Sequence, residues 1–239
     1  MLPSFCKNLG PINAGQILAL IESDKLNIDK KDIFTAFVSL NKLSQNSLSF
    51  LYNREKLKNS IPNNSAIICT REKARELKKT NKIFIVKNVL ESVAKISNIF
   101  YRDFNEKEIA KFSDALIGSN CEIGNNVIIE KGAVIGKNVK IGHGTIIKHN
   151  CIVGNDSKIG SNNVISHSII GNSIYIGNNN SIGQRGFGFY INQNQNIDIF
   201  HSGRVILKDK VSIGSGCTID RGSFGDTIIQ LQQNETTVK

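Results

Sequence analysis

The stretch Ala133-Val-Ile-Gly-Lys-Asn-Val-Lys-Ile-Gly-His-Gly-Thr-Ile-Ile147 decides the fold, because an aliphatic residue returns at every sixth position, at Ile135, Ile141 and Ile147. The spacing runs on in both directions, through Ile117, Ile123 and Ile129 on one side and Val153, Ile159 and Ile165 on the other. Glycine follows six of these nine residues. Six is no multiple of the helical 3.6, but it suits a short strand and a tight turn repeated many times. It predicts a parallel β-helix built from hexapeptides. With three hexads to a coil, successive coils would stand about 4.8 Å apart, the ordinary strand separation.

In such a coil the repeat aliphatics stack into an inward ladder, and small polar residues take the corners. Asn125, Asn126, Asn138, Asn155, Asn162 and Asn178 fit those corners, where left-handed backbone favours glycine and asparagine. Cys121, Cys151 and Cys217 each lie two residues before a repeat aliphatic, where strand alternation points inward again. They read as small packing residues. With Cys6 and Cys69 they make an odd set with no metal-ligand or CxxC spacing, which fits a reducing cytoplasm and no metal.

The register slips by one residue at Ile170, Ile176 and Ile182, then breaks across 184–203. An insertion in a solenoid forms a loop thrown out from one face. This one begins Gly183-Gln-Arg-Gly-Phe-Gly-Phe-Tyr190 and turns Asn/Gln-rich before Leu207, Ile213 and Ile219 restore the spacing. Alone, its glycines lack the strand–GxGxxG–helix setting of a dinucleotide site and the Lys-Ser/Thr of a P-loop.

Before residue 100 helical and strand-like segments alternate, at Ala14–Glu22, Ile33–Leu40, Ser47–Tyr52, Ala66–Cys69, Arg71–Lys79, Ile83–Val86 and Val89–Tyr101. This predicts a small α/β domain. Asn88 is placed to cap the last helix, with Glu91 at the position of a capping-box partner. The expected division is an α/β domain over 1–112, repeats over 113–229 and a non-repeat tail over 230–239, with Lys107–Phe112 as a cap on the first coil.

The chain carries a formal charge of +10, and residues 1–112 hold 19 basic against 11 acidic side chains. A basic face attracts acidic proteins, nucleotide phosphates, nucleic acid or anionic membrane, and a solvated lysine-rich surface is the plain alternative. No dense basic run singles out nucleic acid. Apolar runs such as Ile17–Ile21 fall far short of the roughly 20 residues that span a bilayer. The N-terminus shows no signal-peptide pattern.

Several motifs together are more particular than the repeats. Gly183–Phe189, Gly203-Arg-Val-Ile-Leu207, Ile219-Asp-Arg-Gly222 and Asp226-Thr-Ile-Ile229, with Ser47-Leu-Ser-Phe-Leu-Tyr-Asn53 and Val86-Lys-Asn88 before a helix, resemble the UDP-3-O-acylglucosamine N-acyltransferases of lipid A biosynthesis. The resemblance covers nearly all of residues 10–229. It implies a left-handed β-helix, a cytoplasmic homotrimer with active sites between subunits, and a uridine-nucleotide-binding N-terminal domain. The implied reaction moves a 3-hydroxyacyl group from acyl carrier protein to the 2-amine of UDP-3-O-acylglucosamine. The donor is the carrier's phosphopantetheine thioester, so no separate cofactor is implied, and no nucleic acid. Amine attack on a thioester needs a general base and donors for the oxyanion.

By the same resemblance Phe50 stacks on uracil and Asn53 hydrogen-bonds it, while Gly186, Phe187, Gly188, Phe189, Asp220 and Arg221 border the active-site cleft. The chain departs from the pattern at Lys56, where a second stacking aromatic is expected, at Arg185, where an acidic residue is usual, and at Phe200-His201, where relatives carry Pro-Gln. The family's general-base histidine follows the Asp-Arg-Gly coil, and no histidine lies beyond Arg221 here. His143, His149, His167 and His201 all precede it and read as corner or surface side chains. The expectation is a chain truncated before its catalytic coil, inactive or impaired, or else a non-catalytic nucleotide-binding or trimerising scaffold.

Overall fold

The computed structural model describes residues 4–57, 60–78, 81–192, 196–231 and 237–238, and resolves the chain into two compact units. One consists of Met1–Phe5, Asp103–Gly186 and His201–Lys239, the other of Cys6–Arg102 and Phe187–Phe200.

The first unit is a parallel β-helix. Leu116–Ile117 pairs with Val134–Ile135, Glu122–Ile123 with Lys140–Ile141, and Ile128–Ile129 with Ile146–Ile147, so each coil advances 18 residues and adds one strand to each of three sheets. The ladder closes because repeat amides reach carbonyls of the next coil, as in Gly118 N–H to Ile135 O at 2.8 Å and Gly136 N–H to Val153 O at 2.8 Å. Strand alternation then sends Ile135, Ile141, Ile147, Val153, Ile159 and Ile165 inward, where all are buried. Full burial of each such side chain contributes about 1.5–3 kcal/mol. Cys151 is fully buried in this ladder, and burial pushes its thiol up to about 12, while Cys121 and Cys217 pack against it partly buried.

The corners work as expected, with a division of labour the sequence does not announce. Asn126, Asn138 and Asn162 take left-handed φ of 58°, 57° and 56°. Asn155 and Asn178 instead use their side chains, accepting from the amides of Lys137 at 2.8 Å and Ser161 at 2.7 Å.

The one-residue slip has a definite place. Ile152 pairs with Ile169, an advance of 17, because the corner Ser166-His167-Ser168 is one residue shorter than Lys148-His149-Asn150-Cys151 in the preceding coil. The next advance, Ile169 to Ile206, takes in the insertion.

Glu106–Ile109 is helical and opens with a reciprocal capping box between Asn105 and Glu108. It does not close the end of the solenoid: Ile117 and Ile123 remain 48 % and 42 % exposed. The segment lies along a corner instead, with Phe104 and Phe112 each 6.0 Å from the His149 ring and Lys131 Nζ donating to Ala110 O at 3.3 Å. These contacts place 103–112 with the repeats, so the units divide after Arg102 rather than after residue 112. At the other end Thr237–Val238 pairs in parallel with Ser212–Ile213. The remainder of the expected tail, at 232–236 and 239, lies outside the described residues.

The second unit is an α/β fold around a five-stranded sheet. Ala36–Phe37, Ser47–Phe50, Ala66–Cys69 and Lys82–Val86 run parallel, and Ser23–Leu26 joins antiparallel at the edge. Two of the three interior strands, Ser47–Phe50 and Ala66–Cys69, are buried at every position. The helix Val89–Phe100 turns Val89, Val93, Ile96 and Phe100 inward at helical spacing. Asn88 caps it, accepting from Glu91 N–H at 3.1 Å. The Glu91 carboxylate does not return to close a box. It pairs with Lys95 one turn on, at 2.7 Å. A true box stands at Asn13 and Gln16, ahead of the helix Ala14–Leu18.

The insertion contributes a hairpin, Phe189–Ile191 antiparallel to Asn196–Asp198. Asn98 Nδ2 donates to Asp198 O at 2.6 Å, Phe200 N–H donates to Ser97 Oγ at 2.9 Å, and the Phe200 ring stacks on Tyr101 at 6.0 Å. Among the described residues no helix is long and apolar enough to cross a membrane.

Candidate functional site

In the α/β unit a cleft of about 660 Å³ opens at the ends of the sheet strands, lined by Glu22, Ser23, Asp24, Asn53, Thr70, Arg71, Glu72, Ile85, Val86 and Lys87. Asn53 follows the buried strand Ser47–Phe50 and reaches the cleft wall, where its Oδ1 accepts from Thr70 Oγ1 at 2.8 Å. That bond engages the amide oxygen and leaves the two NH₂ donors of Asn53 for another partner. Arg71 pairs with Asp24 across the same cleft, and Lys87 supplies a second cation. Phe50 is buried and is not among the lining residues, its ring lying edge-to-face against Phe37 at 5.6 Å and Tyr52 at 5.4 Å. Lys87 stands in the Val86-Lys-Asn88 motif, whereas Arg71 had no signal in the sequence beyond its charge.

In the β-helix the strand Ser181–Arg185 carries a bulge between Ile182 and Gln184. A bulge re-aims the strand that bears it, and here it directs the chain into the insertion. Gln184 pairs with Asp220 and Arg185 with Arg221. A methyl group on Gly186 would stand 3.3 Å from the Asp220 side chain, so the glycine turn and the Asp-Arg-Gly turn meet directly. Phe187 and Phe189 cluster with the other unit, Phe187 fully exposed and 6.4 Å from the Phe189 ring. Asp220 O accepts from Thr227 Oγ1 at 2.8 Å.

The four histidines resolve individually. His143 is exposed, but its Nδ1 accepts from Asn125 N–H at 2.8 Å, so its basic lone pair is engaged by the backbone. His149, His167 and His201 are buried or nearly so. Around His149 and His167 a polar cluster forms that the sequence reading did not assemble. His167 Nε2 is 3.6 Å from Asp103 Oδ1, Arg221 Nη2 is 3.4 Å from the same oxygen, and the two imidazoles are 5.9 Å apart. Contact with His167, and then the charge of Arg221, holds the Asp103 carboxyl below the usual carboxylate range despite burial. Burial lowers His167 below its ordinary value, and Asp103 opposes that only in part. Burial also works to raise Glu130, but Lys148 at 2.6 Å and the amide of His149 at 2.9 Å prevail and lower it. Among the described residues no group of three or more His, Cys, Asp or Glu is placed to hold a metal ion.

Comparison with known proteins bears on both units. The family described as GMPPB C-terminal domain matches residues 111–221, less than half of the chain and confined to the repeats and the residues just before them. UDP-3-O-acylglucosamine N-acyltransferase 2 of Legionella pneumophila (strain Paris) is 38% identical over 235 residues, covering 95% of this chain and 68% of the relative. The UDP-3-O-acylglucosamine N-acyltransferases of Methylobacterium nodulans and Rickettsia bellii are 46% identical over 63 residues and 45% identical over 65. Those two matches cover 26% and 27% of this chain and only 18% and 19% of the relatives. A solved acetyltransferase domain of PglB from Neisseria gonorrhoeae FA1090 is 17% identical, covering 49% of this chain and 46% of that one, and its TM-score of 0.19 carries no argument. The Legionella match runs through the α/β unit and the β-helix alike, and by it this chain belongs to the UDP-3-O-acylglucosamine N-acyltransferase family.

Proposed function

We propose that the fold serves transfer of a 3-hydroxyacyl group from an acyl carrier protein to the 2-amine of UDP-3-O-acylglucosamine, with the α/β unit holding the uridine nucleotide. The carrying observation is the extended match to the Legionella acyltransferase. The cleft adds chemical support: a fixed amide at Asn53 suits a pyrimidine edge, and Lys87 supplies a cation for a phosphate, Arg71 being paired with Asp24. Asn53→Ala removes one ligand hydrogen bond and is expected to weaken UDP binding by about tenfold. Isothermal titration with UDP checks this, and unchanged affinity would remove the nucleotide from this cleft.

A second reading rests on the histidines. His143 Nδ1 accepts from a backbone amide and the other three are buried or nearly so. On that ground the chain binds UDP-sugar as a scaffold and turns over at background. Incubation with 3-O-acylated UDP-glucosamine and hydroxyacyl carrier protein decides between the readings. Transfer above background, lost with one histidine, establishes a base among the four.

The solenoid is proposed to be left-handed and to trimerise through its first sheet. Outward positions there are aliphatic in every described coil: Leu116, Val134, Ile152, Ile169, Ile206 and Ile228. The second sheet presents Glu122, Lys140, Lys158, Tyr175 and Ser212 instead. An aliphatic ladder that long on one face marks an association surface. Sedimentation equilibrium is expected to give three copies, and Ile169→Lys with Ile206→Lys to give monomers. A wild-type monomer would overturn the proposal.

A further inference from the structure

His167 combines three features that rarely coincide. It occupies the shortened corner with φ of 44°, a left-handed conformation uncommon outside glycine. Its side chain is only 13 % exposed. Neither ring nitrogen has a hydrogen-bond partner among the described residues, the Asp103 oxygen at 3.6 Å being just too far. A regular corner residue at this place is Asn150, whose side chain donates to Ser4 O at 2.7 Å. Strain and an unsatisfied buried ring persist only where the surroundings over-determine them.

Charged and aromatic groups face the ring from several elements. Asp103 faces His167 from the segment before the repeats, Arg221 from the strand Thr218–Arg221, His149 from the preceding corner, and the Phe5 ring lies 5.7 Å away. Glu130, the next charge along the corner, is held by Lys148 and the His149 amide. Arg221 is 5 % exposed, and its guanidinium shares the Asp103 oxygen that His167 approaches. One carboxylate therefore serves two partners. With His167 neutral, Asp103 balances Arg221. With His167 protonated, a second cation stands beside Arg221 at the Asp103 carboxylate that both approach.

We propose that Asp103, His167 and Arg221 form a positioning clamp that fixes the Asp-Arg-Gly turn, and with it the placement of Asp220 against the turn at Gly186, and that proton uptake by His167 releases it. The significance of the Gly186–Asp220 contact rests on the acyltransferase reading, but the test does not depend on transfer. The turn has its own reporters: Ser202 N–H donates to Ser223 O at 2.7 Å and Gly203 N–H to Gly222 O at 3.1 Å. Amides within regular coils, such as Gly136 and Gly142, serve as references.

Hydrogen exchange at neutral pH is expected to show Asp103→Asn speeding the Ser202 and Gly203 amides by about tenfold or more while leaving the reference amides unchanged. In the unaltered protein the same two amides lose protection, relative to the references, as pH falls below the ordinary histidine value of 6.5. The sign follows from burial: the folded ring titrates lower than the released ring, so the released state binds more protons in that window. His167→Asn keeps a residue that tolerates left-handed backbone and is expected to abolish the pH dependence. An NMR titration of His167 in the unaltered protein provides a reading that needs no variant, and its midpoint should coincide with the loss of protection. Unchanged exchange in Asp103→Asn, pH dependence surviving in His167→Asn, or a His167 titration with no accompanying change at Ser202 and Gly203 would each overturn the clamp. UDP affinity of the variants separates this outcome from failure of the nucleotide reading, since Asn53 and its cleft belong to the other unit.

Discussion

Gly183→Ala is expected to destabilise the β-helix by about 2–5 kcal/mol, the sum of about 1–2 for forcing alanine into left-handed backbone and about 1–3 for overpacking. Gly183 sits at the bulge with φ of 78°, and an added methyl would overlap the Ser166 carbonyl oxygen and stand 2.7 Å from Ser168 Oγ. Neither neighbour is free to retreat. The Ser166 carbonyl accepts from Ser168 Oγ at 2.6 Å, and the Ser166 hydroxyl donates to the Gly183 carbonyl at 2.9 Å. Gly216 supplies the control, because its φ of 71° is similar and an added methyl there meets nothing within 4 Å. Gly216→Ala should therefore show the backbone penalty alone, about 1–2 kcal/mol. Urea unfolding followed by far-UV circular dichroism measures both, the chain having no tryptophan. If the two variants are equally stable, the close approach at the bulge is not what the sequence needs glycine for.

Asp226→Ala is the second large expectation, at about 3–5 kcal/mol, the range for removing one partner of a buried ion pair. Asp226 accepts from Arg204 Nε at 3.1 Å, Nη2 at 2.8 Å and the Arg204 amide at 3.1 Å, with side-chain exposures of 8% for the aspartate and 18% for the arginine. The fork joins the strand Val205–Leu207 to Thr227–Ile229, where Thr227 N–H also donates to Arg204 O at 2.7 Å. Alanine leaves a guanidinium in a site that water barely reaches. Arg204→Met with Asp226→Ala removes the orphaned charge and should recover most of the loss. A single variant within about 1 kcal/mol of the unaltered protein would mean that the pair behaves as a surface bridge.

The repeat was legible because each hexad carries its own instruction: inward aliphatic, corner glycine or asparagine, outward residue. Ile135 needs no knowledge of distant sequence to be read as buried. The slip at Ile170 was equally visible, but its cause was not, since nothing local says that His167 replaces an asparagine-like corner. The polar cluster escaped for the same reason. Asp103 and Arg221 lie 118 residues apart and meet only through the coiling of the chain. Of Lys107–Phe112, expected to be helical, only the part up to Ile109 is, and a helix's propensity does not say whether it covers an end or a corner. That was decided by Phe104 and Phe112 finding the His149 ring. Of the two nucleotide-binding residues named by resemblance, Asn53 lines the cleft and Phe50 is not among its lining residues, while Arg71 belongs to a segment that no motif marked.

The division of the chain into units has a consequence for the order of events during synthesis. The α/β unit is drawn from residues 6–102 and again from 187–200, with Phe200 on Tyr101 and Asp198 on Asn98. A ribosome making this protein releases the first part early, then issues the coils from Leu116 to Arg185 before the hairpin that completes the earlier unit exists. Domains usually fold in the order in which they emerge. Here the unit begun first is finished after most of the second has been made, and an isolated fragment ending at Arg102 corresponds to a state that the growing chain passes through unfinished.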